Sequence, residues 1–265
     1  MIEYCSLASG SCGNSHYIKA GQLDILVDVG MSAKYIREAL AQIGESMADI
    51  DAVFLTHEHS DHIRGLAVLA RRYDFTIFLS RAIYQLLEDR LSHVAPERFV
   101  FIEDGQLELD DVQVKIFSVS HDATHTFGFT FEQAGKKIGI ATDIGFISPE
   151  AKHALAECDF LVIESNHDEH LVQAGRYPYL LKQRILSKKG HLSNKSAGEF
   201  IADIFHEKRR LKFIVLAHLS QENNYPELAY VSVEKVLAER EIEVGRDLMV
   251  SVALRQQISE RFRIV

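Results

Sequence analysis

Residues 56–62 read Thr-His-Glu-His-Ser-Asp-His and follow directly on a short apolar run, Ala52–Thr56. A run of that length and composition suits a buried strand, so the histidines stand at the carboxyl end of a strand, where α/β sheets place their sites. On an extended or turning backbone residues i and i+2 point the same way, which lets His57, His59 and Asp61 converge while His62 opens the next helix. Three imidazoles and a carboxylate within six residues suit a borderline divalent ion such as zinc. The spacing is not that of an HExxH metalloprotease, because Asp61 stands in place of the second histidine.

Three further groups sit at the ends of apolar runs. His121 follows VKIFSVS, Asp143 follows IGIAT and His218 follows FIVLA. A lone histidine after a strand means little. Five histidines and two aspartates together suffice for two metal ions sharing a carboxylate, an arrangement suited to in-line displacement at phosphorus or attack on a carbonyl.

The rest of the pattern alternates strands with helices. Strands are expected at Ile2–Ala8, His16–Ala20, Leu23–Asp28, Thr76–Leu79, Val112–Val119, Thr126–Glu132, Lys137–Ala141, Phe160–Ile163 and Phe213–Leu216. Helices are expected at Ala33–Ile43 behind an N-cap at Ser32, at Ile63–Tyr73, at Arg81–Leu91, and at Lys195–His206 behind Ser193. Two such successions imply an α/β sandwich of two similar halves in one domain, residues 1–265, divided near residue 110.

A chain of 265 residues can bury a sizeable core without disulfides. Its three cysteines, Cys5, Cys12 and Cys158, form no CxxC pair, which points to a reducing cytoplasm. No apolar run reaches membrane-spanning length and the N-terminal residues lack the pattern of a secretion signal. The net charge of −9 speaks against a generally basic nucleic-acid-binding surface. Locally the balance reverses. Leu171–Gly198 holds Arg176, Lys182, Arg184, Lys188, Lys189 and Lys195 and no acidic residue, a local +6 that leaves −15 elsewhere. A solvated helix face, Tyr179–Lys188, plus a loop is the bland reading of that run. Phosphate positioning is the functional one, with Tyr177 and Tyr179 available to stack on bases.

The order HxHxDH, then a His, an Asp and a late His, each after a strand, resembles the metal pattern of the metallo-β-lactamase superfamily over essentially the whole chain. The resemblance implies a four-layer αβ/βα sandwich. It also implies that His57, His59 and His121 hold one metal, that Asp61, His62 and His218 hold the other, and that Asp143 bridges them. Further motifs resemble the WalJ/YycJ branch, whose members are linked to double-stranded DNA exonuclease activity and DNA repair. These are Leu7–Ser11 with Gly13-Asn14-Ser15, Glu164–Asp168, Gly190–Asn194, and Leu216–Ser220 with Asn223-Asn224. The chain departs from the expected pattern at Cys12 and His125. Gly190-His191-Leu192-Ser193-Asn194 and the Glu164 segment also look like motifs of the tRNA 3′-processing endonucleases. By that likeness His191 is the proton donor and Glu164 its partner.

Other branches fit less well. Flavodiiron oxidoreductases carry Glu where His59 stands, and the span from Asp143 to His218 is too short for the inserted domain of the β-CASP nucleases. Thioester hydrolases would leave the His191 motif unexplained. The expectation is a cytoplasmic phosphodiesterase with two divalent ions, Zn or Mn, acting on nucleic acid, most simply an exonuclease on DNA. Asp61, His191 and Glu164 are the catalytic candidates, and Asn14, Lys182, Arg184, Lys188 and Lys189 the substrate contacts. The alternatives are a hydrolase for a thioester or cyclic phosphodiester, and a non-catalytic metal-stabilised DNA-binding module.

Overall fold

The computed structural model describes residues 1–264. Its strands are β1 (Ile2–Ala8), β2 (Ser15–Ala20), β3 (Leu23–Val27), β4 (Ala52–Phe54), β5 (Thr76–Leu79), β6 (Phe99–Phe101), β7 (Gly105–Leu109), β8 (Val112–Ser118), β9 (Phe127–Gln133), β10 (Lys136–Ala141), β11 (Phe160–Glu164), β12 (Phe213–Ala217), β13 (Met249–Val252) and β14 (Phe262–Ile264). Its helices are α1 (Ala33–Gln42), α2 (Ser60–Ile63), α3 (Leu66–Arg72), α4 (Arg81–Leu91), α5 (Pro149–Ala156), α6 (Glu169–Ala174), α7 (Tyr179–Ile185), α8 (Asn194–Lys208) and α9 (Pro226–Glu239).

Two mixed sheets face each other. The first runs β14-β1-β2-β3-β4-β5-β6 and the second β13-β12-β11-β10-β9-β8-β7. The chain changes sheet between Phe101 and Gly105, and β14 returns at the end to pair antiparallel with β1, Ile2 opposite Ile264.

Strand alternation explains the layers. In β9, Phe127, Phe129 and Phe131 are two apart, so all three enter the core between the sheets. There they meet Phe54 of β4, whose ring centroid lies 5.3 Å from both Phe129 and Phe131. Between them Gly128 leaves room for Phe117, since a Cβ there would lie 2.4 Å from that ring. The opposite faces bury Cys5, Leu7, Leu26, Val53 and Ile77 under α1, α3 and α4. On the second sheet Leu161, Ile163, Ile214 and Leu216 lie under α5, α8 and α9. Helices therefore cover both outer faces, giving the αβ/βα order expected from the sequence.

Local signals placed most elements well. Ser32, Ser80, Ser148 and Ser193 each accept a backbone N–H of the first helical turn, closing the N-termini of α1, α4, α5 and α8. The expected helix Ile63–Tyr73 is a correction, because it is broken into α2 and α3 at Arg64-Gly65. Gly65 donates its N–H to Val29 O at 2.8 Å, and a Cβ there would sit 2.6 Å from Met31 O. The helix yields where the chain docks on the loop after β3. β6, β7, β13, β14, α5, α6 and α9 had no counterpart in the sequence reading. All three cysteines are free, and among the described residues no helix is long and apolar enough to cross a membrane.

Candidate metal centre

The topology brings the histidines and aspartates together. β10, β11 and β12 are parallel neighbours, and β8 runs the same way because β9 is antiparallel to both β8 and β10. Their carboxyl ends share one rim. His121 lies just beyond β8, Asp143 beyond β10, Glu164 ends β11 and His218 follows β12. From the first sheet, the end of β4 delivers His57, and the short helix α2 carries Asp61 and His62. Asp143 (φ 57°) and His218 (φ 55°) take the left-handed conformation, as does Asp28 (φ 61°) after β3. Such strained non-glycine residues persist where surrounding structure over-determines them.

All seven expected metal-binding groups meet at this rim. His57, His59 and His121 bring ligand atoms within 4.8 Å of one another, as do Asp61, His62 and His218, and also His57, His62 and Asp143. Asp143 lies between the sets, with Oδ2 3.2 Å from His62 Nε2 and Oδ1 3.6 Å from His121 Nε2. Asp61 Oδ2 stands 3.5 Å from His62 Nε2 and 3.6 Å from His218 Nε2.

Hydrogen bonds set the imidazole tautomers. His57 Nδ1 donates to Thr56 Oγ1 at 3.0 Å, His62 Nδ1 to Asp28 Oδ2 at 2.7 Å, His121 Nδ1 to Gly190 O at 3.1 Å and His218 Nδ1 to Glu164 Oε1 at 2.7 Å. Each bond commits Nδ1 as the donor and so leaves Nε2 as the nitrogen available to a metal ion. His57 Nε2, His218 Nε2 and Asp143 Oδ2 are buried with no hydrogen-bond partner. Buried polar atoms are rarely left so, because each unpaired one costs about 1–3 kcal/mol. The donor set is all imidazole and carboxylate, so it suits divalent ions.

Burial disfavours charge on every group here, and neighbouring charges decide the outcome. Burial, helped by neighbouring imidazoles (His62 beside His57, His191 beside His121), prevails over the Asp143 carboxylate and holds both below the usual imidazole range. At His62 the carboxylates of Asp143 and Asp28 outweigh it and raise the imidazole well above that range. At His218, Asp143, Asp61 and Glu164 outweigh it and raise the ring to about 10. These values describe protons held in place of metal, and a cation would compete with them directly.

His191 and Glu164 are also brought together. Glu164 Oε1 accepts from His191 Nδ1 at 2.9 Å, while Oε2 accepts the backbone N–H groups of Ile144 (2.8 Å) and Leu192 (3.0 Å). Burial pushes the Glu164 carboxyl up, but His191 and His218 outweigh it and lower it to about 2. Burial likewise lowers His191, and Glu164 raises it above its ordinary value. His191 is 21% exposed beside fully buried Glu164, so its other nitrogen, Nε2, is the one left for a ligand.

The expected substrate contacts divide. Lys188 and Lys189 are exposed on the turn after α7, with Lys188 Nζ 5.2 Å from the Phe146 ring centroid. Arg184 pairs with Asp122, the neighbour of His121, and Lys182 Nζ donates to Gln173 O at 2.7 Å. Asn14 is instead fully buried. Its Oδ1 accepts from Gly10 N at 2.8 Å and its Nδ2 lies 3.1 Å from His62 Nε2, so it braces the loop against the metal centre. His125 bonds Ser118 Oγ at 3.0 Å and packs on Phe127, away from the ligand atoms.

Sequence reasoning missed the groups that hold the ligands. Asp28 accepts Thr56 N (2.9 Å), Thr56 Oγ1 (2.8 Å) and His62 Nδ1. Ser9 Oγ accepts His218 N at 2.8 Å, and Asn166 Nδ2 donates to His218 O at 2.8 Å. Asp28 carried a faint signal, as the acid that closes the apolar run Ile25–Val27.

Comparison with known proteins gives the family. A family model described as the Beta-lactamase superfamily domain matches residues 24–219. The chain is 37% identical to "Exodeoxyribonuclease YycJ" of Bacillus anthracis over 92% of each chain. It is 39% identical to "Exodeoxyribonuclease WalJ" of Streptococcus pneumoniae over 94% of this chain and 93% of that protein. The metallo-beta-lactamase fold protein YhfI from Bacillus subtilis superposes with a TM-score of 0.71 at 14% identity, covering 97% of this chain and 98% of that one, a likeness of fold. The chain belongs to the metallo-β-lactamase superfamily and, within it, to the family of the YycJ and WalJ proteins.

Proposed function

We propose that the protein is a metal-dependent exodeoxyribonuclease of the cytoplasm, hydrolysing phosphodiester bonds at DNA ends with two divalent ions, zinc or manganese. The observation that carries this reading is the pairing of His191 with Glu164 at the edge of the seven-group centre. A thioester hydrolase has no need of that pair, whereas a nuclease must protonate a departing sugar oxygen. The names of the two relatives point the same way.

His57, His59 and His121 would hold one ion and Asp61, His62 and His218 the other, with Asp143 between. When bound, such ions supply hydroxide at neutral pH and offset negative charge at phosphorus. The side chains do the rest. Asp61, 21% exposed while its neighbour His62 is fully buried, faces the mouth and accepts the proton of the attacking water. Glu164 keeps the His191 ring oriented and favours its protonated form. His191 then passes a proton from Nε2 to the leaving oxygen. Lys188 and Lys189 attract the phosphate backbone, and Arg184 and Lys182 line its approach.

The test is cleavage of end-labelled duplex DNA, single-stranded DNA and RNA with Zn²⁺ and Mn²⁺ supplied separately. The expected result is stepwise shortening of DNA from an end, abolished by chelator. Hydrolysis of thioesters with no cleavage of any nucleic acid overturns the proposal.

A further inference from the structure

We infer, resting on the two-ion reading above, that Asp122 is a further metal-binding group, a carboxylate ligand of the ion assigned to His57, His59 and His121.

The two halves of the centre are unequal without it. Asp61, His62 and His218 include a carboxylate of their own, whereas His57, His59 and His121 are imidazoles alone and have only the shared Asp143. An imidazole ligates in its neutral form, so the first ion lacks a charge partner that the second has.

Asp122 stands where that partner is needed. Its Oδ1 lies 3.5 Å from His121 Nε2, the same separation as Asp61 Oδ2 from His62 Nε2. In both pairs the carboxylate and the imidazole are adjacent in sequence. Zinc ligands lie about 2.0–2.2 Å from the ion, so two of them at tetrahedral angles stand roughly 3.3–3.6 Å apart. Both separations fall in that range.

Asp122 Oδ1 is also buried with no hydrogen-bond partner, the condition of Asp143 Oδ2, His57 Nε2 and His218 Nε2. Arg184 does not account for it. A guanidinium frequently takes both oxygens of a carboxylate. Here Arg184 Nε donates to Oδ2, and Oδ1 is left on the His121 side.

The backbone around Asp122 is held from two directions. Thr124 donates its N–H and its hydroxyl to Glu58 Oε1, both at 2.8 Å, which ties the segment to the loop carrying His57 and His59. Ser120 Oγ donates to Lys188 O at 2.8 Å on the other side. Asp122 joins none of the triads that close within 4.8 Å, so it meets the site at the His121 corner as its outermost group.

The test is a Zn²⁺ and, separately, a Mn²⁺ titration of the metal-free full chain against a competing chelator, read as bound ions per chain. The wild type is expected to bind two. Asp122→Asn keeps the shape of the side chain and an oxygen for Arg184 while removing the charge, and circular dichroism verifies its fold. It should bind one ion about 10- to 100-fold more weakly and leave the other unchanged. Added to His59→Gln, which already weakens the same ion, Asp122→Asn should leave the remaining, tighter ion as it was. Arg184→Gln breaks the pair from the other side and should keep wild-type affinity for both ions. Wild-type affinities in Asp122→Asn overturn the assignment. So do equal losses in Asp122→Asn and Arg184→Gln, because the effect would then belong to the ion pair. A wild type that binds fewer than two ions overturns the two-ion reading and the assignment with it. Bound-ion counts need no DNA, so they stand apart from the choice between a nuclease and another hydrolase.

Discussion

Glu164 holds His218 through a hydrogen bond of 2.7 Å from the imidazole Nδ1, and the same oxygen accepts His191 Nδ1 at 2.9 Å. One buried carboxylate therefore orients both a ligand of the metal centre and the proposed proton donor. Glu164→Gln would place an amide NH₂ against N–H donors from Ile144, Leu192 or the two imidazoles. The expected outcome is a coupled loss: metal affinity falls about 10- to 100-fold at the His218 site, and turnover falls with it. Metal content after dialysis, measured beside kcat, checks it. Full metal retention with normal turnover would show that the carboxylate is dispensable.

His191→Ala leaves all seven ligand groups in place. Both metals should stay bound while DNA cleavage drops about 10²- to 10⁴-fold, the usual contribution of a positioned general acid. The loss should be much smaller on a p-nitrophenyl phosphodiester, because p-nitrophenolate leaves without a proton. An equal loss on both substrates would assign His191 to binding or to structure.

Asp28→Ala removes the acceptor of His62 Nδ1 and of Thr56. The buried imidazole N–H keeps only its longer contact to Thr56 Oγ1 (3.2 Å) and the Thr56 backbone N–H loses its acceptor, a cost of about 1–3 kcal/mol. Metal affinity should fall with stability, since the ring is no longer held with Nε2 forward. Chelator competition and urea unfolding read the two effects separately. Wild-type values in both would mean that His62 is oriented by its backbone alone.

The metal-free protein should be most stable in mildly acidic solution. The Glu164 carboxyl is lowered to about 2, so its contribution is present above its unfolded value and is lost as pH falls toward 2. The His218 ring is raised to about 10, so its contribution is full below the unfolded value near 6.5 and is lost as pH rises toward 10. His57 and His121, held below the imidazole range, cost stability as pH falls below about 6.5, so urea midpoints of chelated protein from pH 3 to pH 10 should peak at about pH 6–6.5. Divalent metal should reverse the alkaline limb, because binding displaces the His218 proton. A chelated protein whose stability climbs steadily from pH 6 to pH 10 would contradict this account of the cluster.

Much of the architecture is legible in short-range patterns. Two-residue alternation marks β9 through Phe127, Phe129 and Phe131, and the capping serines Ser32 and Ser193 mark α1 and α8 within a residue or two. Elements without a strong local signal escape. β6 and β14 are three residues each and exist because a neighbouring strand supplies the ladder, as β1 does for β14. The helix expected at Ile63–Tyr73 breaks at Gly65 because of a contact with residues 29–31, which periodicity cannot register.

The same division runs through the metal centre. HEHSDH, with His121, Asp143 and His218 each behind an apolar run, determines on its own which side chains have the chemistry to hold metal, since ligand type is a property of the residue. Only the tertiary structure decides which imidazole nitrogen faces inward. That choice depends on Thr56, Asp28, Gly190 and Glu164, whose partners lie 1, 34, 69 and 54 residues away. Asn14 changes from a substrate contact to a brace under His62 for the same reason. Apart from Thr56, which adjoins His57, these partners are brought up by other strands and loops at the rim of the same sheet, and no local stretch of the chain encodes such a hydrogen bond.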